Sequence, residues 1–259
     1  MLRPRLWRAA ASSLSAQNKP DSRGTALMVH GAGGGAWEFR TYWQEVFEQR
    51  GWHVVAHDLE PTPAGLAHTA LSDYVAQVSK NWMTSASDIR DVPLVIIGAS
   101  MGGAIALQAA GRLEPRAVVL VNSVVPRPWA LRTTRNSKPI PDVMRWAGSS
   151  FERTAAAMPD STAQVQQWAA SRWRDESGCV LRELRSGYDQ SQPKCRTLFV
   201  VGRADRDVPA EQQLAWAASW DNSSTLIYSK MSHVGPLLGT KARQVAQDVE
   251  NWLSNECVN

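Results

Sequence analysis

The chain has 259 residues, 44% of them hydrophobic and 20% charged, which suits one large α/β domain with a substantial core. No uncharged apolar run approaches the roughly 18 residues that a membrane-spanning helix needs. The formal net charge of +4 is held within residues 1–24, where Arg3, Arg5, Arg8, Lys19 and Arg23 face Asp21 alone. The body from residue 25 onward is formally neutral, so composition supplies no basic face for nucleic acid despite a pI of 9.1.

Residues 1–24 read as a flexible extension. They are rich in Arg and Ser and nearly free of acid, as transit peptides are, but a disordered extension is the preferred reading. The three cysteines, Cys179, Cys195 and Cys257, make neither a disulfide framework nor a metal motif, and point to a reducing, cytoplasmic setting.

From Thr25 the chain alternates strands and helices, the pattern of a mostly parallel sheet covered on both faces. Thr25–Val29 is a short apolar strand, followed by a Gly-rich turn at 31–35. The spacing of Phe39, Trp43, Val46 and Phe47 predicts a helix over 37–49, with Gly51 at its stop. Trp52–Ala56 is the next strand. Leu71, Tyr74, Val75, Val78 and Trp82 mark an amphipathic helix.

Leu94–Ile97 is a continuous β-branched run, as in a strand buried on both faces. Ala104–Ala110 is a helix of small residues able to lie close to the sheet. Strands follow at Ala117–Val121, Thr197–Val201 and Thr225–Tyr228. Helices are expected at Val208–Trp220 and Lys241–Leu253. The segment 124–192 breaks the rhythm, with five prolines before Asp160 and helical stretches near Gln164–Trp173 and Cys179–Tyr188. It shows no strand pattern and reads as a helical cap, inserted between core segments 25–123 and 193–259.

The strongest chemical motif is Gly98-Ala99-Ser100-Met101-Gly102, a Gly-x-Ser-x-Gly at the end of a buried strand and the start of a helix. That context holds the serine in a strained turn with its hydroxyl projecting from the sheet. A plain Gly-rich turn is the competing reading. The second motif, His30-Gly31-Ala32-Gly33-Gly34-Gly35, offers free amides near the elbow. It loosely matches Gly-x-Gly-x-x-Ala, with Asp58 after the next strand, but a nucleotide loop leaves Ser100 unexplained. His30 reads as a brace for this loop.

Serine needs a base, and only His233 follows the last expected strand, in Met231-Ser-His-Val-Gly-Pro. Gly235 would free that loop to aim the ring. The base needs an acid. Asp205 is preferred and Asp207 is the alternative, since Asp207 resembles an N-cap before Pro209. The other place such an acid can stand, after the strand that follows the elbow helix, reads Asn122-Ser123 and has no carboxylate.

These motifs resemble the α/β-hydrolase superfamily over residues 25–255. His30–Trp37 and Val55-Ala-His-Asp58-Leu59 look like its methylesterase and hydroxynitrile-lyase branch. The resemblance implies an acyl-enzyme mechanism with Ser100, Asp205 and His233 catalytic, and the Ala32 and Met101 amides as oxyanion hole. It further implies Gly31, Gly33, Trp129 and Trp146 around the substrate. The branch's lyases carry Thr at the position of Gly31 and Lys at that of Val234, departures that favour ester hydrolysis. No metal or organic cofactor is implied, and the partner is a small acyl substrate.

An amide, lactone, thioester or C–C bond is an alternative target, because the triad does not separate them. A silent ligand-binding protein of the same fold is the alternative of another class. Arg127, Arg132, Arg135, Lys138, Arg145 and Arg153 outnumber Asp142 and Glu152 early in the cap. They suggest either an acidic or aromatic-acid substrate or merely a solvated face.

Overall fold

The computed structural model describes residues 22–130 and 138–257. The extension up to residue 21, along with Arg132 and Arg135, lies outside the described residues. In chain order the elements begin with β1 (Gly24–Val29), α1 (Trp37–Arg40), α2 (Trp43–Gln49), β2 (Trp52–Ala56), α3 (Leu71–Met83) and α4 (Ser87–Arg90). Next come β3 (Leu94–Ala99), α5 (Met101–Leu113), β4 (Ala117–Val121), β5 (Val143–Met144), α6 (Phe151–Ala157), α7 (Ala163–Ala170), β6 (Glu176–Ser177) and α8 (Gly178–Ser186). The chain closes with β7 (Arg196–Gly202), α9 (Ala210–Ala218), β8 (Ser223–Tyr228), α10 (Gly235–Leu238) and α11 (Ala242–Cys257).

Six strands form one sheet in the order β2-β1-β3-β4-β7-β8, every pair parallel. The continuous apolar runs follow from burial on both faces. Leu27, Ile96, Leu120 and Phe199 point into one cluster with α3, α5 and α9, while Met28, Ile97, Val119 and Val200 point into the other with α2 and α11. Successive strand residues face opposite ways, so both sets must be hydrophobic. Aromatic rings anchor each side: Phe199, Trp216 and Trp220 meet edge-on, and Phe39, Trp43, Phe47 and Trp52 form a column.

Helix α5 packs closest. A Cβ on Gly102 would lie 2.1 Å from the Val29 carbonyl oxygen and 2.5 Å from that of His30. Small residues therefore draw the start of α5 onto the end of β1, which brings the Gly-rich turn next to Ser100.

The expected strands are all present; Trp52–Ala56 and Ala117–Val121 have the expected bounds, and the other four are one or two residues longer. The helix expected over 37–49 is instead two, α1 and α2, separated at Thr41–Tyr42. Segment 124–192 is helical but also carries an antiparallel bridge, Val143 opposite Ser177 and Met144 opposite Glu176. Two-residue strands give no alternation to read. The segment is fastened to the sheet's helices by rings: Trp168 and Trp173 each meet Trp37 edge-on, at 5.3 and 5.4 Å. No helix among the described residues is long and apolar enough to cross a membrane.

Candidate active site

Ser100 sits between β3 and α5 with φ 53° and ψ −118°, a conformation that costs roughly 1–3 kcal/mol in a non-glycine residue. The turn is held by its backbone: Ser100 N–H donates to Val121 O at 3.0 Å, and Ser100 O accepts from Gly103 and Val124. A Cβ on Gly98 would lie 2.2 Å from the Gly102 carbonyl oxygen, so glycine there is a spatial necessity.

The structure brings Ser100, His233 and Asp205 together. His233 Nε2 is 2.9 Å from Ser100 Oγ, and His233 Nδ1 is 2.8 Å from Asp205 Oδ2. Asp205 Oδ1 accepts the backbone N–H groups of Asp207 and Val208 at 2.8 and 2.9 Å. The Asp205 side chain is fully buried, whereas Asp207 is exposed. Asp207 is not an N-cap; α9 begins at Ala210 behind Pro209, with no side-chain cap. Burial alone would lower the His233 pKa. The hydrogen bond and charge of Asp205 outweigh it, helped by Asp207 and Glu38, and the imidazole titrates above its ordinary 6.5.

The ligand atoms of Asp205, Asp207 and His233 lie close enough together to suggest a metal cluster. Hydrogen bonds already engage the ligand atoms of two of the three, His233 and Asp205. Both His233 nitrogens and both Asp205 oxygens have protein partners.

The Gly-rich turn closes through Gly34 N–H to Gly31 O, with Gly33 at φ 69° in the third position. A Cβ on Gly31 would be 3.2 Å from Ser100 Cβ, so this turn abuts the elbow. Gly31 and Gly33 are buried, and Ala32 between them is part-exposed. Met101 is the first residue of α5, where no intrahelical acceptor exists for its amide.

His30 braces the turn. Its Nε2 accepts the Leu59 N–H at 2.9 Å, so Nδ1 carries the proton and donates to Gly31 O at 2.8 Å. Burial lowers its pKa to about 4. Asp58 accepts the Ala36 amide at 2.7 Å and pairs with Arg174. Its carboxylate is thereby engaged in structure.

Trp146 lies over the turn; a Cβ on Gly33 would be 2.2 Å from its ring. Trp129 is half-buried against the cluster of the α5 face. Of the basic residues in 124–192, Arg127 pairs with Asp189 and Arg145 with Asp175, while Lys138 and Arg153 are exposed. A cleft of about 570 Å³ opens between α3, α5 and α8, lined by residues such as Leu71, Gln108, Cys179 and Tyr188. Ser100, His233 and Asp205 do not line it, so it is not the seat of their chemistry.

Sequence reading missed four residues that shape the site. Glu38, buried in α1, accepts the Gly31 N–H at 3.3 Å. Burial pushes its carboxyl up to about 8. Glu176 reaches the same turn from β6. Asn122 and Asp160 hold the histidine loop. Glu38 lies off the stripe of Phe39, Trp43, Val46 and Phe47, so the helical spacing gives no signal for it. The others are long-range partners with no local pattern.

Gly235 was expected to loosen the histidine loop. It opens α10 instead, and a Cβ there would meet Asp160 Oδ2 at 2.0 Å, so the reason for glycine is space.

No curated protein matches the chain. Solved structures do. Polyneuridine aldehyde esterase superposes with a TM-score of 0.67 at 17% identity, covering 89% of this chain and 99% of that one. Tomato methylketone synthase I, complexed with 2-tridecanone, gives 0.69 at 15%, covering 90% and 99%. A methylesterase from Arabidopsis gives 0.69 at 13%, covering 88% and 98%. At these identities the likeness is one of fold. The model of the alpha/beta hydrolase family matches residues 26–248, and the chain belongs to that family.

Proposed function

We propose that this protein is a serine hydrolase that cleaves the carboxylic ester of a small or medium-sized substrate through an acyl-enzyme. The observation that carries the reading is the unbroken relay from Ser100 Oγ to His233 Nε2 and from His233 Nδ1 to Asp205 Oδ2. The base is within transfer distance of the hydroxyl, and the acid fixes the tautomer that leaves Nε2 free to accept.

Ser100 attacks the acyl carbonyl carbon as His233 takes its proton. The Ala32 and Met101 amides stabilise the oxyanion, and each such donor is worth about 3 kcal/mol. The C–O bond breaks as His233 returns the proton to the leaving alcohol. Water then attacks the acyl-enzyme, with His233 again as base, and releases the acid and Ser100. Residues 124–192 form a cap on this site, with Trp146 over the Gly-rich turn and Gly31 and Trp129 along the substrate's path. The raised pKa of His233 suits a base working near neutrality.

The test is fluorophosphonate labelling followed by peptide mass analysis, with a p-nitrophenyl ester series beside it. The expected result is a single adduct on Ser100, lost in Ser100→Ala, with ester turnover lost in parallel. An intact protein that takes no adduct and turns over no ester is a scaffold and not a hydrolase.

A further inference from the structure

Residues 174–176 leave the 124–192 insertion to grip the Gly-rich turn at its tip. Glu176 Oε2 accepts the Gly33 N–H at 3.1 Å, and Arg174 N–H donates to Gly33 O at 2.8 Å. Trp146 closes the third side. Glu176 is itself fixed, because its Oε1 accepts from Tyr74 Oη at 2.9 Å and from its neighbour Ser177 N–H at 2.7 Å. It is only 3% exposed.

A four-residue turn with glycine in its third position has two accessible states, type I and type II. They differ by a flip of the central peptide. Here that peptide joins Ala32 to Gly33. In the observed state the Glu176 carboxylate faces an N–H. In the flipped state it would face the Ala32 carbonyl, which is repulsive in a buried site. The carboxylate thereby selects one state of the peptide that follows the proposed Ala32 oxyanion donor.

We infer that Glu176 is a positioning residue of the proposed hydrolysis, acting through Gly33 to hold the Ala32 amide toward the oxyanion. This rests on the hydrolase reading above. Glu176→Gln keeps the shape but loses one acceptor. With its remaining oxygen on Ser177 and Tyr74, its NH2 confronts the Gly33 N–H.

The experiment compares the full-length wild type, Glu176→Gln and Val249→Ala, the last a core truncation in α11 away from the site that lowers stability without touching the turn. The measurements are kcat and KM on the best p-nitrophenyl ester and melting temperature. Inhibition by a trifluoromethyl ketone and by the matching methyl ketone completes the set. Ser100 Oγ adds to the activated ketone carbon, its proton passes to His233, and the resulting oxyanion needs the hole; the methyl ketone only fills the site.

We expect Glu176→Gln to lose about tenfold to a hundredfold in kcat and a similar factor in trifluoromethyl ketone affinity. KM and methyl ketone affinity should stay within about twofold, as should kcat of Val249→Ala. Wild-type kcat and trifluoromethyl ketone affinity in Glu176→Gln would overturn the inference. So would an equal fall of kcat in Val249→Ala at matched stability. Should Glu176→Gln not fold, Glu176→Asp, which keeps the charge but is one methylene shorter, is judged by the same criteria. A wild type that hydrolyses no ester and takes no fluorophosphonate fails one step earlier, and removes the hydrolase reading together with this one.

Discussion

Asn122 Nδ2 donates to the carbonyl of His233 at 2.8 Å, across 111 residues of chain. The same amide group donates to Ser232 O at 3.0 Å, while Asn122 Oδ1 accepts Gly202 N–H at 2.8 Å. One side chain thus ties the end of β4 to the end of β7 and to the histidine loop. Its backbone stands at φ 42°, where asparagine is among the few tolerated residues. From the opposite side, Asp160 accepts the Ser232 N–H at 2.9 Å and the Ser232 hydroxyl.

Asn122→Ala leaves the Gly202 N–H and the His233 carbonyl short of a partner, while Ser232 O keeps the Gly235 N–H. The expected cost is about 2–3 kcal/mol in urea denaturation. As His233 loses its anchor, kcat should fall about tenfold with KM little changed. A variant that loses stability but keeps the wild-type kcat would show that Asp160 holds the loop unaided.

Asp205→Asn tests the acid. An asparagine amide can donate to Nδ1, which traps the tautomer with the proton on Nε2 facing Ser100. The expected loss in kcat is about three to four powers of ten. The pH profile carries a second signature. His233 titrates above its ordinary 6.5 because Asp205 outweighs burial, and the proposed general base works only as the neutral ring. With Asp205 neutralised, burial is less opposed, so the acid limb of kcat/KM should move to lower pH. Asp207→Asn, at an exposed residue contributing only its charge, should move the limb slightly in the same direction and spare kcat.

What the sequence made legible and what it hid divide along physical lines. Ser100, His233 and Asp205 could be read because each stands at the end of a strand whose apolar run announces it. The strained serine also demands glycine at 98 and 102. The four inner strands were legible because they are buried on both faces; the edge strands β2 and β8 are only partly buried. The break at Thr41–Tyr42 was not, since Phe39, Trp43, Val46 and Phe47 keep a helical spacing across it and all pack into one cluster. Glu176, Asp160 and Asn122 act over roughly 70 to 140 residues of separation through single hydrogen bonds, and no local pattern encodes such a partner. In the sequence, Asn122 stands out only for the carboxylate it lacks.

Two glycines of α5 separate space from propensity. Gly102→Ala would drive a methyl group into two backbone carbonyl oxygens of the β1 end, at 2.1 and 2.5 Å. Backbone cannot yield as a side chain can, so the expected destabilisation is about 3 kcal/mol or more, with activity lost as Ser100 moves. Gly111, exposed near the helix's other end, has nothing within 4 Å of an added Cβ. Gly111→Ala should stabilise the protein by about 0.5–1 kcal/mol at unchanged kcat. Thermal melts of the two variants, made side by side, check both signs.

The buried pair His30 and Glu38 makes stability depend on pH in opposite senses. Burial holds His30 near 4, below its ordinary 6.5, so between those values the unfolded chain binds the extra proton and stability rises with pH. Burial raises Glu38 from 4.5 to about 8, so across that interval the folded state holds the extra proton and stability falls as pH rises. The two slopes nearly cancel between about 4.5 and 6.5, and above 6.5 Glu38 carries the decline together with His233, whose raised pKa also leaves the folded state holding an extra proton. Wild type should therefore lose stability on going from pH 6.5 to 8, and Glu38→Gln, which keeps the shape without the ionisation, should flatten that decline. His30→Gln should steepen the fall between pH 4.5 and 6.5, where nothing then opposes Glu38. Urea midpoints at half-unit pH steps from 4.5 to 8.5 measure all three curves. A Glu38→Gln curve parallel to wild type above pH 6.5 would place the alkaline titration on some other group.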